Sequence, residues 1–478
     1  MTPLRTLLRP VTDKTVRGRM NRPIRGLAYE VAHVREDVLY FAVRHGRHDG
    51  HDRVMEAVSR GAGAVVCERG GFIPPRAVSI RVRDTRQALA QAAAVFHGHP
   101  SQALDVIGVT GTGATADFAF LLGALLDRAD AATGWISSLQ HRVGDRLLPP
   151  RPEGEESLEI QRMLASMLRH GQRRAVLELG ETARAHGWST GLELRELIQL
   201  CPAGTPATPD PVFPAQSAWR VVWSDQEHAV RVISADAVFR LGVYRLTTTL
   251  EGISLRLRTP WGLKTVHAPL VGGRQARRLV GVLAVAAALG VPWSRLTRAA
   301  RRLPSVPGRL EPVSAGQSFA VWVDGAESPV ELARLLRETR ALAPRRILLL
   351  VGGHAGQSAT ERRRLGRVAA LGADRVLVTS HNPRTADPAE LAADVRAGAR
   401  MVRAGTVEEE PDRATAIARL LDLAQPGDVV LLTGKGHRVR QELDHCVIPF
   451  DDRTQARRLL EQRDETADAE TFHPYATP

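Results

Sequence analysis

The stretch from Leu104 to Leu126 constrains the fold of this chain more than any other. The run LDVIGVTG (Leu104 to Gly111) is apolar and β-branched and ends in glycine, and FAFLLGALL (Phe118 to Leu126) has the continuous apolarity of a buried helix. A second buried strand, RAVLEL (Arg174 to Leu179), follows the helical segment Ser157 to Gly171. Strand, glycine turn, helix and strand in this order predict a parallel α/β sheet.

Smaller α/β signals precede this stretch. Val38 to Val43 and Ala62 to Cys67 are apolar runs, and the helix-like segment Arg53 to Arg60 lies between them. The segment HGHPSQ (His97 to Gln102) then carries glycine and proline, which are typical of a linker. We therefore expect a small α/β domain that ends near residue 103.

Further α/β signals follow it. The segment Cys201 to Gln216 is rich in Pro, Ala and Thr and predicts an irregular loop, and Trp219 to Leu257 contains several short β-prone runs before a long helix, Gln275 to Leu289. The last part contains parallel-type strands separated by helical segments, which predicts a doubly wound sheet. These strands are RILLLVGG (Arg346 to Gly353), DRVLVTS (Asp374 to Ser380) and GDVVLLTG (Gly427 to Gly434).

A length of 478 residues, at roughly 100 to 200 residues per domain, predicts three domains. We place them at residues 1–103, 104–305 and 306–463, followed by a polar tail, 464–478, that we expect to be frayed or disordered. The fold class expected is α/β: a small N-terminal domain, a central P-loop-type domain with a parallel sheet, and a C-terminal doubly wound, Rossmann-like domain.

Composition excludes several classes of protein. Hydrophobic residues make up 44% and charged residues 24%, which is typical of a globular chain, and no apolar run is long enough for a membrane span or a secretory signal. We therefore expect a cytoplasmic protein with no membrane partner. The formal charge of +13 could attract nucleic acid, but the arginines are scattered and few aromatics lie among them, so no nucleic-acid partner is expected.

Lysine is almost absent. Of 65 basic residues, only Lys14, Lys264 and Lys435 are lysines. Arginine replaces lysine on a surface, but it does not replace a compact point charge or an amine that must form a carbamate.

A series of motifs occurs in order along nearly the whole chain. They are DGHD (Asp49 to Asp52), GAGAVVCE (Gly61 to Glu68), the HGHPS linker, VIGVTGTG (Val106 to Gly113), VPGRLE (Val306 to Glu311), TSHNPR (Thr379 to Arg384), GDVVLLTGKGH (Gly427 to His437) and PFDDR (Pro449 to Arg453). With these motifs in this order, the chain resembles the Mur ligases, and within them the UDP-N-acetylmuramoyl-tripeptide synthetase type, which adds the third residue of the peptidoglycan stem peptide.

The resemblance implies an N-terminal domain that binds UDP, a central ATPase domain and a C-terminal domain that receives the amino acid. It also implies ATP and Mg²⁺ as cofactors, because the family makes an acyl phosphate that the amino group attacks. The positions that match the nucleotide contacts of the family are Gly111, Thr112, Gly113, Thr115, Arg309 and Asp324.

The phosphate loop departs from the family pattern. Where members read roughly GTNGKT, this chain has GTGATAD (Gly111 to Asp117), with Thr115 at the lysine position and Ala116 at the magnesium hydroxyl. Lysine reaches the β/γ-phosphates and Ser/Thr holds Mg²⁺ in a working loop. Two interpretations stay open: an eroded anion site at a helix N-terminus, and a tight strand-to-helix turn, which the residues favour.

The metal position is ambiguous. Glu178 matches a glutamate that the resemblance implies as a magnesium ligand, but it could equally be a structural carboxylate that caps a turn. The Ser-Ser-His that should follow is Gly180, Glu181 and Thr182. The carbamoylated lysine that most Mur ligases carry in this domain has no counterpart, since no lysine lies between Lys14 and Lys264.

Other family contacts are also changed. The uridine-site Asp-Ser-Arg becomes Glu30, Val31 and Ala32, and the family's Asp-Tyr-Ala-His becomes the segment Asp324 to Glu327. Loss of one preorganised contact typically costs about 10²- to 10³-fold in rate, so several losses predict little remaining ligase activity.

The positions that receive the amino acid match the family motifs more closely. Asn382, Pro383 and Arg384 match the motif that lets arginine bind the distal carboxylate of diaminopimelate, and Lys435 and His437 match the GKGH motif. However, an aspartate of the family is His381 here, and the glutamate after GKGH is Arg438, changes that would repel a distal ammonium. A purely structural role for Lys435 and His437 stays open, as does a hinge role for the Gly308–Arg309 pair.

Two hypotheses follow. One is a pseudoenzyme that keeps the Mur ligase fold to bind a UDP-muramoyl peptide, an amino acid or another cell-wall enzyme. The other is a divergent, active ligase that joins an amino acid to a UDP-muramoyl dipeptide or a related acid. The residues favour the first.

Overall fold

The computed structural model describes residues 1–45, 48–70, 73–151, 154–188, 190–201, 212–224, 229–444 and 446–471. The chain divides into two compact units. The first contains Met1–Gly242, Arg258–Gly262 and Val280–Ala299, and the second contains Val243–Leu257, Leu263–Leu279 and Ala300–Pro478. No helix among the described residues is both long enough and apolar enough to cross a bilayer.

The N-terminal part of the first unit is built on a five-stranded sheet of order β2-β9-β8-β5-β4. Its elements are β1 (Thr2–Pro3), α1 (Leu4–Leu7), β2 (Lys14–Arg17), β3 (Pro23–Ile24), β4 (Gly26–Ala28), β5 (Val38–Phe41), β6 (Arg44–His45), β7 (His48–Asp49), α2 (Val54–Ser59), β8 (Ala62–Cys67), β9 (Val78–Val82), α3 (Thr85–Phe96) and α4 (Pro100–Ala103), with 3₁₀ turns at Val31–His33 and Gly50–Arg53. Every residue of β5 and β8 is buried, because both faces of these strands are covered.

The central part of the chain contains the strand and helix predicted around Gly111. Its elements are β10 (Asp105–Gly111), α5 (Thr115–Ala129), β11 (Thr133–Ile136), β12 (His141–Val143), β13 (Arg146–Leu148), α6 (Ser157–Arg169), β14 (Arg174–Glu178), α7 (Glu181–Ala185), β15 (Leu194–Cys201), β16 (Ala215–Ser224), β17 (Ala229–Ile233), β18 (Val238–Thr248), β19 (Ile253–Thr259), β20 (Gly262–Ala268), α8 (Gly273–Ala288) and α9 (Trp293–Ala300).

Within the first unit, the strands β11, β14, β10, β15 and β16 lie side by side and pair in parallel. Antiparallel strands continue the sheet on both sides, with β12 and β13 beyond β11 and with β17 and β18 beyond β16. Since the carboxyl ends of parallel strands meet at one edge of a sheet, Gly111 at the end of β10 and Glu178 at the end of β14 lie close together.

The C-terminal part, in the second unit, is a doubly wound sheet of order β21-β22-β26-β23-β24-β25. Its elements are β21 (Glu311–Pro312), β22 (Ala320–Asp324), α10 (Pro329–Arg340), β23 (Ile347–Val351), α11 (Ala359–Gly372), β24 (Arg375–Val378), α12 (Pro388–Arg400), a 3₁₀ turn (Ala404–Thr406), β25 (Val407–Glu409), α13 (Arg413–Leu423), β26 (Val429–Thr433), β27 (Arg440–Glu442), β28 (Val447–Pro449) and α14 (Asp452–Thr471).

Successive residues of this sheet enter two different cores. Leu349 and Leu431 pack with α10, α11 and α12 on one face, whereas Leu350 and Leu432 pack with α13 and α14 on the other. Because side chains alternate along a strand, a continuous apolar run such as ILLLV is what a strand buried on both faces requires.

The α/β fold expected from the sequence is confirmed, and four details differ. The predicted linker is partly helical, since α4 occupies Pro100–Ala103. The predicted irregular loop is bounded by strands: β15 ends at Cys201 and β16 begins at Ala215, while residues 202–211 lie outside the described residues. Strand β15 itself was not predicted. The backbone of α14 continues to Thr471, inside the predicted tail, and residues 472–478 also lie outside the described residues.

Candidate functional site

The turn between β10 and α5 is shaped by close backbone approach. Gly111 has φ 115°, and a Cβ placed on it would lie 2.2 Å from the carbonyl oxygen of Leu200. The Thr112 N–H donates to the same carbonyl at 3.2 Å. Gly113 also has positive φ, 96°, but a Cβ there would meet open space. The first glycine is therefore required by packing, and the second only by the backbone conformation.

Thr115, at the position of the family's loop lysine, is hydrogen-bonded to Glu178, the predicted metal ligand. Thr115 is buried, and its Oγ1 donates to Oε1 of Glu178 at 3.1 Å. The other carboxylate oxygen, Oε2, accepts the backbone N–H of Ser138 at 2.7 Å. Both oxygens of Glu178 thus have donors from the protein itself, which is the arrangement expected of a structural carboxylate.

The charges next to the loop are of both signs. Asp117 is buried in the first turn of α5, where a carboxylate is favoured by the helix dipole but opposes an incoming phosphate. Arg184 supplies a cation, since its Nη2 donates to Thr110 Oγ1 at 3.3 Å and its guanidinium lies 5.3 Å from the ring centre of Phe213.

These residues do not fit a magnesium triphosphate. A working loop needs a lysine on the phosphates and a hydroxyl on the metal, and positions 115 and 116 supply a threonine and an alanine. The threonine hydroxyl is turned toward Glu178, and Asp117 adds negative charge. Arg184 is bonded to Thr110, the residue before the loop, and places one positive charge there.

A cavity of about 710 Å³ lies in the first unit, and none of the residues predicted as a site lines it. Its charged lining residues are Asp13, Arg44, Glu68, Arg83, Asp84, Arg86 and Arg184. Its volume is in the range of small-molecule sites. No motif in the sequence indicates this cavity, because its lining comes from segments far apart in the chain.

Two predicted nucleotide contacts lie together in the second unit. Asp324 ends β22 and is buried, and its carboxylate accepts the N–H groups of Leu310 and Ala326, both at 2.9 Å. Burial raises the pKa of Asp324, and the charge of Arg309 opposes that rise. The Arg309 guanidinium donates to the Gly308 carbonyl at 3.3 Å. Asp324 therefore fixes the turn that carries Arg309.

One acidic residue, Glu442, is hydrogen-bonded to both Asn382 and Arg384 of the Asn-Pro-Arg motif. Asn382 Oδ1 accepts the Glu442 N–H at 3.3 Å, and the Arg384 N–H donates to the Glu442 carbonyl at 3.1 Å. The Arg384 Nε also donates to the Glu442 carboxylate at 2.5 Å. Arg384 has φ 51°, a left-handed conformation that costs a non-glycine residue about 1–2 kcal/mol. Pro383 precedes it, and its carbonyl accepts the N–H of Ala386.

The GKGH segment is also engaged within the protein. Lys435 is buried, and its Nζ donates to the Arg440 carbonyl at 2.5 Å. Burial lowers the pKa of Lys435 to about 8. The backbone of His437 approaches Gly308, where a Cβ would lie 2.2 Å from the His437 nitrogen. This contact explains the glycine of the VPGRLE motif.

Arg438, at the family's glutamate position, forms an ion pair with Glu327. Its Nη1 and Nη2 lie 2.7 and 3.1 Å from the two carboxylate oxygens. The hydrogen bond from Glu327 raises the pKa of Arg438. Glu327 itself stands at another changed family position, so two separate departures in the sequence are partners in the fold.

His381 is almost fully buried, at 1% exposure, and neither ring nitrogen has a hydrogen-bond partner among the described residues. Its ring lies against Gly434 and meets the ring of His354 edge to face, at 5.8 Å between centroids. Burial, with help from the charge of Arg413, lowers the pKa of His381 well below its usual range. The ring is thus neutral at pH 7, and it does not add the cation that the sequence suggested.

Comparison with known proteins shows what the chain is similar to in sequence and in fold. A family model described as the glutamate ligase domain of Mur ligases matches residues 308–436. A UDP-N-acetylmuramyl-tripeptide synthetase from Roseiflexus sp. (strain RS-1) is 31% identical over an alignment 493 positions long, gaps included, which covers 92% of this chain and 95% of that protein.

Two solved structures share the fold. A UDP-N-acetylmuramoyl-L-alanyl-D-glutamate–2,6-diaminopimelate ligase matches with a TM-score of 0.60 at 20% identity, over 97% of this chain and 99% of that one. The MurF ligase of Thermotoga maritima in complex with ADP matches with a TM-score of 0.60 at 16% identity, over 93% and 98%.

The architecture and its motifs define an α/β protein with the fold of the Mur ligases. The chain belongs to the Mur ligase family, and its similarity is to the members that are named tripeptide synthetases. The resemblance stated from the motifs is confirmed. The roles of the individual site residues stay predictions.

Proposed function

We propose that this protein has lost, or strongly reduced, the ATP-dependent ligase reaction and uses the Mur ligase fold to bind. Its ligand is a UDP-muramoyl peptide or an amino acid, or its partner is another cell-wall enzyme. The observation that carries the proposal is the hydrogen bond from Thr115 to Glu178. Thr115 stands at the position of the phosphate-binding lysine and Glu178 at the position of the metal ligand. Because these two side chains bond to each other, neither is available to a nucleotide or its metal ion.

The amino-acid end supports the same proposal. Arg384 is held by Glu442, and Arg438 is held by Glu327. A guanidinium that already has a carboxylate partner must exchange that partner before it can bind a ligand, which reduces the net affinity. An incoming diamino acid would also meet Arg438 where the family has an acidic residue.

The binding role has its own support. The cavity of about 710 Å³ is lined by four arginines and three acidic residues and has room for a small polar ligand. The curated relative acts, by its name, as a UDP-N-acetylmuramyl-tripeptide synthetase, and the solved ligase is named for UDP-N-acetylmuramoyl-L-alanyl-D-glutamate and 2,6-diaminopimelate. We infer that a ligand of this class is the first to test.

The alternative is a divergent, active ligase of the cytoplasm. Arg184 favours it, because a cation bonded to Thr110 could take over part of the charge of the missing lysine. The ADP bound to the Thermotoga maritima MurF ligase shows that this fold accommodates a nucleotide in that protein.

Calorimetry distinguishes a protein that only binds from an active ligase. The full chain is titrated with ATP and Mg²⁺ and then with UDP-N-acetylmuramoyl-L-alanyl-D-glutamate, and phosphate release is followed after diaminopimelate is added. We expect no heat with ATP, no phosphate and a measurable heat with the nucleotide sugar. Micromolar ATP binding together with phosphate release would establish the active ligase, and no binding of either compound would contradict the binding role.

A variant with a restored phosphate loop tests why the ligase reaction is lost. In Thr115→Lys/Ala116→Thr the lysine and hydroxyl of the phosphate loop return, and ATP affinity should rise. Turnover should remain absent, because no lysine lies between Lys14 and Lys264 to form the carbamate that the family uses. Full turnover in this variant would show that the phosphate loop is the sole defect.

A further inference from the structure

Four parallel strands of the C-terminal sheet end at one edge, and the segments that follow them carry polar side chains. Strands β22, β26, β23 and β24 lie side by side and pair in parallel. The segments contain Glu327 after β22, His354 after β23, His381 after β24, and Lys435 and Arg438 after β26. The next helices after β23 and β26, α11 and α14, pack on opposite faces of the sheet. The carboxyl edge between two such strands is where doubly wound sheets bind ligands.

His381 lies at this edge with two unpaired ring nitrogens. It is almost fully buried, and neither nitrogen has a hydrogen-bond partner among the described residues. The ring packs against Gly434 of the segment after β26, where a Cβ would lie 3.3 Å from Cε1 of His381. A neutral imidazole has one N–H donor and one acceptor, and buried polar groups are nearly always paired. The unpaired ring therefore indicates a place where a ligand can supply the partner.

Three arginines at this edge are already balanced by carboxylates. These ion pairs are Arg384 with Glu442, Arg438 with Glu327 and Arg413 with Asp452. A ligand with a distal ammonium would find these carboxylates engaged, and it would have to displace an arginine from one of them. Like charges placed side by side oppose binding, so the edge disfavours an additional ammonium group.

Lys435, in contrast, has no carboxylate within ion-pair distance in the part of the chain that the structure describes. Its Nζ donates to the Arg440 carbonyl, and with a pKa of about 8 the amine is mostly protonated at pH 7. Burial lowers the pKa of His381, and so do the charges of Arg438 and Lys435, which shows that both cations act on this ring. An anionic group beside His381 would balance the charge of Lys435 and accept the imidazole N–H.

Arg438 lies on the solvent side of this place. Its Nη1 donates to the Gly434 carbonyl at 3.1 Å, and 41% of its side chain is exposed. An anion that arrives from solvent therefore meets the Arg438 guanidinium before it reaches the buried ring of His381.

We propose that this edge binds an amino acid whose side chain ends in a carboxylate, and that His381 donates its ring N–H to that carboxylate. The inference rests on the proposed function, in which an amino acid is one ligand, and it adds the class of amino acid. A dicarboxylic amino acid supplies the anion that Lys435 lacks and the acceptor that His381 lacks. A diamino acid would instead place a further cation beside Lys435 and Arg438.

Calorimetry with three amino acids of equal length tests this specificity. The compounds 2-aminoadipate, lysine and norleucine share a six-carbon chain and differ in its last group, which is a carboxylate, an aminomethyl group or a methyl group. The full chain is titrated with each of them in the presence of UDP-N-acetylmuramoyl-L-alanyl-D-glutamate. We expect 2-aminoadipate to bind at least about tenfold more tightly than norleucine, and lysine to bind no better than norleucine. Lysine bound as tightly as 2-aminoadipate would overturn the proposal.

Variants at position 381 test the role of the imidazole. His381→Leu removes the donor and should weaken 2-aminoadipate by about 10- to 100-fold while norleucine binds as before, because a hydrogen bond to a charged group contributes roughly that much. His381→Asp places a carboxylate there and should remove the preference for 2-aminoadipate. His267→Leu, which removes an exposed histidine from the same unit, is the matched control and should bind like the wild type.

The outcomes separate this proposal from the proposed function. A wild-type protein that binds the nucleotide sugar but none of the three amino acids, or that binds all three equally, contradicts the proposal and leaves the binding role intact. Full affinity for 2-aminoadipate in His381→Leu also contradicts it. A protein that binds neither the nucleotide sugar nor any amino acid contradicts both. The preference of the wild type is measured without any substitution, so it does not depend on how the variants fold.

Discussion

The buried ion pair between Arg413 and Asp452 offers a sharp test of how the C-terminal sheet is held together. Both side chains are fully buried. Arg413 donates through Nε and Nη2 to the two carboxylate oxygens at 2.8 and 2.6 Å, and Nη2 also donates to the Thr433 carbonyl at 2.8 Å. The pair thus joins the first residues of α13 and α14 to the end of β26. The sequence analysis did not find it.

Asp452→Asn should destabilise this region strongly. The substitution keeps the shape but leaves the Arg413 guanidinium buried without its counter-charge, and removal of one partner of a buried pair costs about 3–5 kcal/mol. A domain has a total stability of roughly 5–15 kcal/mol, so the change is a large fraction of it. At 1.4 kcal/mol for each factor of ten, local opening should become about 10²- to 10³-fold more frequent.

Hydrogen exchange with mass spectrometry measures this opening peptide by peptide, which avoids assuming that a chain of two units unfolds in one step. Peptides from β26 and from the start of α13 should exchange about 10²- to 10³-fold faster in Asp452→Asn. Asp422→Asn is the matched control, because that carboxylate is 69% exposed and pairs with Arg463 at 3.5 Å. It should change exchange by less than about threefold.

Replacing both partners should cost less than removing one. Arg413→Met/Asp452→Leu removes both charges and should recover much of the lost protection, since apolar residues often replace a buried pair without loss of stability. Unchanged exchange in Asp452→Asn, or equal effects at positions 452 and 422, would refute the reasoning.

Three further predictions concern the glycine turn, Lys435 and a surface pair. Gly111→Ala should cost at least about 2 kcal/mol in urea unfolding, because its Cβ would collide with backbone, whereas Gly113→Ala, which meets open space, should cost about 1 kcal/mol. Stability of the C-terminal region should rise with pH between about 8 and 10.5. Lys435 loses its proton at a pKa of about 8 in the folded protein but at its ordinary pKa of 10.5 in the unfolded chain, so between these values the unfolded chain binds more protons. Lys435→Met should abolish this rise in melts taken across that range; an identical rise would contradict the assignment. Glu327→Gln should lower stability by no more than about 1 kcal/mol, since its pair with Arg438 is partly exposed, and a loss of several kcal/mol in the same melts would be inconsistent with that exposure.

The positions that differ from the family pattern show which properties could not be predicted from the sequence. Glu327 and Arg438 were each identified as departures that alter charge, but nothing in the sequence links positions separated by more than a hundred residues. In the fold they face each other at 2.7 Å and compensate. Likewise, His381 was expected to add positive charge, and its burial instead keeps it neutral. Burial and pairing are properties of the packed protein, so they could not be read from single residues.

The sequence by itself determined the local structure and the family. Strands β8, β10, β14, β23 and β26 were predicted because each is a short run of mostly apolar residues of the length of a buried strand, and the order of motifs identified the Mur ligases. The tertiary structure alone decided what the retained polar groups do. It bonds Thr115 to Glu178 at the carboxyl edge of a parallel sheet and pairs Arg438 with Glu327. The reason is that a side chain's chemistry depends on its partners and on its access to water, and residues distant in the chain supply both.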